Sequence, residues 1–535
     1  MSILEPILGT VTGDILEGVL EPFNYFIFTV KTDNAGTSLN NQFTVPTVLA
    51  GTYDAYVDWG DGSDIENITT YNDARWTHTF AGGAGTYEVK IWGTFVGWVF
   101  DDGGDDDKIL DIKQWGIYSV EGDIQKAFRG CSNLVVTATD VPIGTVTNLF
   151  RAFQDCDITS IPSFLSWDLT QLISLNNTFS GTPLNQDLST LYAPLVFNLT
   201  AMLKNTNVDF SVGSWVWSNV TTATDFMDGV TLSTANYDDS LIGIESQSLQ
   251  SGVSINFGLS KWGFGYGGQA KYDIISTYAW TIADNGQSDS TLGIWINAHN
   301  LLKSSVNPSD GALVPTWSDL TDYANDGTAT GAQQPVFKTS IANGEPALLF
   351  DGVDDRLDIA AASEINDLFS SGGSVFVVFN ATTEGEAIGR IFSKYSNAGD
   401  TNGGVLYLND NGVGQGDLIY QKAFSTTNGI WLVENAVTYG NVVIALMTYD
   451  ASSASNDPVF YINSKTAATV SENAAPVGTV LSDSTKALTI GNSEGTNRTF
   501  DGYIFEIAMW KKILSSQEIS DYFDYFAQKY GETLS

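Results

Sequence analysis

Three sets of residues in this 535-residue chain have the types and spacing to do chemistry. Carboxylates come first. Asp351, Asp354 and Asp355 sit together in Phe350-Asp351-Gly352-Val353-Asp354-Asp355, and Asp101, Asp102, Asp105, Asp106 and Asp107 crowd one short segment. Oxygen ligands gathered this way suit a hard cation, so Asp351, Asp354 and Asp355, and separately Asp105, Asp106 and Asp107, are candidate calcium ligands. No EF-hand spacing is present. Aspartates in a turn also bond their own backbone amides, which is the preferred role for 351–355, and a solvated inter-domain loop is the preferred reading of 101–107. Aromatic rings form the second set. Trp295, Trp317, Tyr395, Tyr407 and Trp431 could stack on sugar rings if exposed, although most aromatics of such a chain must be core. The third set is sparse: two histidines, His78 and His299, and two cysteines, Cys131 and Cys156. That is too little for a metalloenzyme or a His-dependent triad, and there is no P-loop or CxxC. The chain is therefore read as a non-enzyme, with calcium the one candidate cofactor.

The elements that must position these groups are β-rich. With 43% hydrophobic residues, 12% aromatic residues and 52 glycines, the chain can bury enough apolar surface to fold. Its length calls for several domains. A net charge of −39 repels phosphates and anionic lipid, which excludes nucleic acid as a partner. No run of 18 apolar residues is present, so membrane insertion is not expected.

Residues 1–22 form an apolar peptide broken by Pro and Gly, in which Ile3-Leu4-Glu5-Pro6 is echoed by Val19-Leu20-Glu21-Pro22. Ile3, Leu4, Ile7, Leu8, Ile15, Leu16, Val19 and Leu20 are candidate anchoring residues that dock on another subunit, or else an arm packed on the first domain. Residues 1–30 contain neither Lys nor Arg, whereas a secretion signal needs a basic start. Release by lysis as part of a virus particle is the expected route outside the cell.

From 23 to 107, strand-like runs flank Asp58-Trp59-Gly60-Asp61-Gly62-Ser63, followed by Trp76-Thr77-His78-Thr79-Phe80 and Gly85-Thr86-Tyr87-Glu88-Val89. This order resembles the polycystic-kidney-disease-type (PKD) immunoglobulin-like sandwich, in which His78 would be structural. From 108 to 288, Phe or Leu anchors recur at 128, 153, 179, 203 and 226, a period that marks a solenoid. Leu184-Asn185-Gln186-Asp187-Leu188 and Val212-Gly213-Ser214-Trp215-Val216-Trp217-Ser218-Asn219-Val220-Thr221 resemble BspA-like leucine-rich repeats, with a terminal cap reaching Trp280–Gly286. Trp215 and Trp217 would share a face if their segment is a strand. Cys131 and Cys156 fall in equivalent units and read as small buried hydrophobes rather than a disulfide.

From 289 to 535, closely spaced strands with Gly, Asn and Asp turns indicate a two-sheet sandwich. Trp317-Ser318-Asp319-Leu320, Gly344-Glu345-Pro346-Ala347-Leu348-Leu349-Phe350-Asp351-Gly352 and Phe500-Asp501-Gly502-Tyr503-Ile504-Phe505-Glu506 resemble the concanavalin A-like, laminin-G-type jelly roll. A final helix is predicted from the Ser515/Glu518 capping box to Gly531. The glycosidases of that fold take two carboxylates, often from one Glu-x-Asp-x-x-Glu strand, and no such strand is present. The resemblances imply a mainly β bacteriophage virion protein (fibre, spike or capsid decoration), anchored by its N-terminus to other virion proteins. It would adhere to a host surface glycan or protein and could form a homo-oligomer. An exported bacterial cell-surface adhesin and a polysaccharide depolymerase are the alternatives.

Overall fold

The computed structural model describes residues 24–535 apart from 122–123, 387, 396–401, 411, 413 and 496. The anchoring residues expected within 1–22 lie outside the described residues. The chain divides into two compact units, residues 1–260 with 280–285, and residues 261–279 with 286–535. The domain boundary expected at 288/289 is therefore interleaved. The helix Tyr266–Tyr278 belongs to the second unit, and the short strand Thr281–Ala283 returns to the first.

In the first unit, a six-stranded sheet runs in the order Glu66–Ile68, Thr47–Asp58, Thr86–Trp98, Phe26–Lys31, Ile109–Gln114 and Val135–Val136. A two-stranded ribbon, Gln42–Thr44 with Thr77–Thr79, lies apart from it. Strand Phe26–Lys31 alternates buried and half-buried residues, and Phe26 and Phe28 pack edge-on to Trp98. The boundary expected at 107 does not hold. Ile109–Gln114 is antiparallel to Phe26–Lys31, and the same strand then pairs in parallel with Val135–Val136.

That parallel pairing begins a stack of turns. Bridges run from Asn148 to Ser174, Ser174 to Asn198 and Asn198 to Thr222. The rings of Phe128, Phe153 and Phe179 lie over one another at 5.5 and 5.9 Å. Each turn carries two residues with left-handed backbone, Lys126 and Gly130, Arg151 and Asp155, Asn177 and Gly181, Ala201 and Asn205, Asp225 and Gly229. This second ladder corrects the last anchor. The Phe128 amide donates to Ala152 O and the Leu203 amide to Phe226 O, so Phe226 stands where Ala152 does and Met227 is the true equivalent of Phe128. Trp215 and Trp217 lie outside any strand, yet both are buried and their rings stack. Cys131 and Cys156 are buried and free, as expected.

The second unit is a two-sheet sandwich. One sheet runs Val336–Ala342, Glu345–Asp351, Asp501–Trp510, Gly373–Thr383, Val443–Tyr449, Val459–Ile462, with Leu292–Asn297 also paired to Asp501–Trp510. The other has nine strands: Thr316–Trp317, Gly327–Thr328, Leu357–Ile359, Leu488–Ile490, Arg390–Ser393, Gly404–Asp410, Gln415–Lys422, Gly429–Thr438, Ser471–Ala474. The run Val375-Phe376-Val377-Val378-Phe379 is apolar throughout because both of its faces are covered. Val375, Val377 and Phe379 enter the core between the sheets. Phe376 meets Phe523 and Phe526 of the helix Ser516–Tyr530 at 5.1 and 4.9 Å. That helix has the expected capping box and ends on Gly531 at φ 72°.

Candidate functional site

Leu357–Ile359, Leu488–Ile490 and Arg390–Ser393 are neighbours in the nine-stranded sheet. Leu357, Ile359, Leu488 and Ile490 point into the core, so strand alternation turns Asp358 and Thr489 to the opposite face. There Thr489 Oγ1 donates to Asp358 Oδ1 at 2.9 Å. A register shift between Arg390 and Phe392 lets both Ile391 and Phe392 enter the core. Arg390 then reaches Ser393, its Nη1 donating to Ser393 Oγ at 3.0 Å and to Tyr395 O at 3.2 Å. Asp358, Thr489, Ser393 and Tyr395, with Arg356, Lys486 and Glu494, line a polar pocket of about 260 Å³.

Charge within the pocket is unevenly paired. Arg356 Nη2 meets Asp358 Oδ2 at 2.9 Å, and its Nη1 donates to the Glu494 carbonyl. Arg390 is only 7% exposed, and among the described residues no carboxylate pairs with it. Burial, then the nearby charge of Arg498, lowers its pKa to about 10. The Tyr395 ring lies 5.7 Å from the Arg390 guanidinium, and Tyr407 is its cross-strand partner.

Of the five rings expected to contact ligand, Tyr395 lines this pocket and Tyr407 lies across the strand pair from Arg390, both half-buried. Trp295, Trp317 and Trp431 do not: each is 0% exposed and cannot offer a face to a sugar. Their large apolar area is worth more in the core. Trp295 Nε1 donates to Glu506 at 2.6 Å and Trp431 Nε1 to Asp457 at 2.8 Å, which satisfies their polar edges. Sequence reasoning missed Arg356, Arg390 and Arg498. The available signal was scarcity, because the chain has six arginines and half of them are these three.

The carboxylate sets fare differently. Asp351, Asp354 and Asp355 have oxygens within 4.8 Å of one another, a grouping whose donors suit a hard cation. Their hydrogen bonds already account for the turn, however. Asp351 Oδ1 accepts the Val353 and Asp354 amides, and Asp355 Oδ2 accepts the Asp351 amide. Burial first, then the charges of Asp351 and Asp354, pushes the Asp355 carboxyl up to about 7. Asp105, Asp106 and Asp107 do not converge, nor do they form a solvated loop. Asp105 is buried, accepts from Ser38 and Thr44 and stands 3.8 Å from Lys108. Asp107 accepts from Ser132 instead. Asp101 pairs with Lys126 and Arg129. The segment is thus tied into the first turn of the stack.

Both histidines contact carboxylates. His78 stacks on Trp59 and bonds Asp61 at 3.0 Å, a structural role as expected. His299 bonds Glu345 at 2.7 Å and Asp273 at 3.1 Å. Burial works against its charge, but the two carboxylates outweigh it and raise its pKa to about 9. With the folded pKa above the unfolded value of about 6.5, this contribution is complete below pH ~6.5 and is lost as pH rises through ~9. The melting temperature of the second unit is expected to fall over that window more steeply in the native chain than in His299→Gln. Parallel curves would refute the assignment.

Residues 351–520 match the family model described as the Concanavalin A-like lectin/glucanases superfamily. No curated protein matches the sequence. Among solved structures, similarity is found to the receptor-binding domain of botulinum neurotoxin mosaic serotype C/D, with 13% identity over 44% of this chain and 50% of that one and a TM-score of 0.31. The binding domain of Paraclostridial Mosquitocidal Protein 1 gives 10% identity, 42% and 54% coverage and a TM-score of 0.31. Trypanosoma rangeli sialidase gives 12%, 45%, 33% and 0.30. The chain spans about half the length of the first of these. With the family match lying inside the two-sheet sandwich, residues 351–520 of the second unit form a concanavalin A-like domain.

Proposed function

We propose that the C-terminal sandwich binds glycans at the pocket lined by Asp358, Ser393, Tyr395 and Thr489, beside Arg390, within a bacteriophage virion protein that presents it to a host surface. The observation that carries the reading is the pocket itself. A floor of hydrogen-bonding groups, Asp358, Thr489 and Ser393, is flanked by a half-buried tyrosine that also meets a guanidinium. Sugars need that combination of a flat apolar ring and fixed polar partners. A pocket of this size suits one sugar unit of a longer chain, and many copies on a particle would turn weak contacts into firm attachment. Binding is favoured over hydrolysis because Asp358 is committed to Arg356 and Thr489. The virion part rests on the repeat-and-sandwich organisation and on the apolar N-terminal peptide as an anchor to other particle proteins.

The full chain on a glycan array is expected to retain a defined set of host envelope glycans. Tyr395→Ala should weaken retention by about 3–10-fold, the value of one aromatic contact. Unchanged retention in that variant, or none in the native chain, would sink the site. Immuno-electron microscopy of purified particles with antibody to residues 290–535 tests the virion role. An absence of label would put the cellular adhesin first.

A further inference from the structure

We infer that the pocket selects glycans whose sugars carry a carboxylate, with Arg390 as the group that receives it. The inference rests on the glycan-binding reading and adds the ligand's charge to it. The chain carries 62 acidic residues against 23 Lys and Arg, so a cation has abundant potential partners. Arg356 has taken one, Asp358. Among the described residues Arg390 has none, although it is more than nine-tenths buried, where an unpaired charge is most costly.

What Arg390 has instead is a position against the pocket. Its Nη1 bonds two residues of the lining, Ser393 and Tyr395. Arg498 stands close enough for its charge to bear on Arg390, and the Arg390 amide donates to the Arg498 carbonyl at 3.0 Å. The Nε of Arg356 is buried without a hydrogen-bond partner. Arg390 is thus a buried guanidinium bonded to the pocket lining with no carboxylate partner among the described residues, and a ligand carboxylate would supply the counter-charge. The planar fork of a guanidinium matches a carboxylate with two parallel bonds, which a hydroxyl cannot reproduce. The neutral parts of such a sugar would meet Tyr395 and the Thr489 hydroxyl. Discrimination against uncharged sugars then follows from the cost of leaving Arg390 buried and unpaired.

The test titrates the full-length protein with four probes: polygalacturonate, its fully methyl-esterified form, polysialic acid and dextran sulfate. At least one carboxylated polymer is expected to bind. If it is polygalacturonate, esterification should weaken binding by about 10–100-fold, the range of a charged hydrogen-bonded contact. Polysialic acid alone would assign the carboxylate to an acidic sugar of that type. Arg390→Lys, which keeps the charge and loses the fork, should lose about 10-fold on the carboxylated polymer while its circular dichroism stays native. If that variant misfolds, Tyr395→Ala provides the second readout and should weaken the same polymer. Equal binding of esterified and free polygalacturonate, or preference for dextran sulfate, would overturn the carboxylate inference and leave glycan binding standing. Retention on neutral array glycans with no binding to any of the four probes would do the same, and no binding in either experiment would remove both.

Discussion

Replacement of Glu506 by alanine is expected to destabilise the second unit by about 3–5 kcal/mol, the cost of breaking a buried pair by removing one partner. Glu506 lies on the central strand Asp501–Trp510 and is 1% exposed. Its Oε2 accepts from Lys529 Nζ at 2.8 Å and from Tyr530 Oη at 2.7 Å, and its Oε1 accepts from Trp295 Nε1. One carboxylate therefore joins the sheet, the C-terminal helix and the strand Leu292–Asn297. Alanine leaves an ammonium, a phenol and an indole N–H buried without their acceptor. The check is the urea midpoint of the transition that carries the near-ultraviolet signal, compared among native, Glu506→Ala and the double variant Glu506→Leu with Lys529→Met. The double variant is expected to regain much of the loss, because it removes both charges together. A loss below about 1 kcal/mol in the single variant would show that water reaches Lys529 and that the pair is not the fastener described.

The second large effect is expected in the stack of turns. Phe153→Ala removes the middle ring of Phe128, Phe153 and Phe179 and should cost about 3–5 kcal/mol through lost burial and the cavity left behind. Each turn buries its face only on its neighbours, so the damage should travel along the stack. Hydrogen exchange is the suitable probe. Faster exchange is expected at the amides of Phe128, Phe153 and Phe179, which donate to successive turns, with the second unit unchanged. Phe153→Leu should cost markedly less. Confinement of the change to residue 153 alone would argue that the turns are held by their own loops.

The features legible in the sequence were those set by local pattern. The capping box at Ser515 and Glu518 and the helix end at Gly531 follow from short-range chemistry and appear where expected. The repeat was legible to within one residue, and it slipped at Phe226 because two apolar neighbours, Phe226 and Met227, compete for one anchor position. The ligand-contacting rings were less legible. A tryptophan's residue type does not say whether its ring will be sealed in: the indole N–H groups of Trp295 and Trp431 find Glu506 and Asp457, while Trp317 is equally buried with none. The pocket was illegible for the same reason. Asp358, Thr489 and Ser393 come together only because strands distant in sequence lie side by side in one sheet.

The paired left-handed residues of each turn bear on how this part of the chain can change over time. Lys126, Arg151, Asn177, Ala201 and Asp225 recur with the repeat, and four of the five partner positions hold Gly or Asn, which accept that backbone cheaply. Loss or duplication of a whole turn keeps both ladders in step, whereas a one-residue deletion inside a turn throws a β-branched or bulky side chain into a conformation it resists. The gene segment is thus free to lengthen or shorten by whole modules. Such a stack can gain or lose length in steps of one turn without disturbing the pairing of the turns that remain.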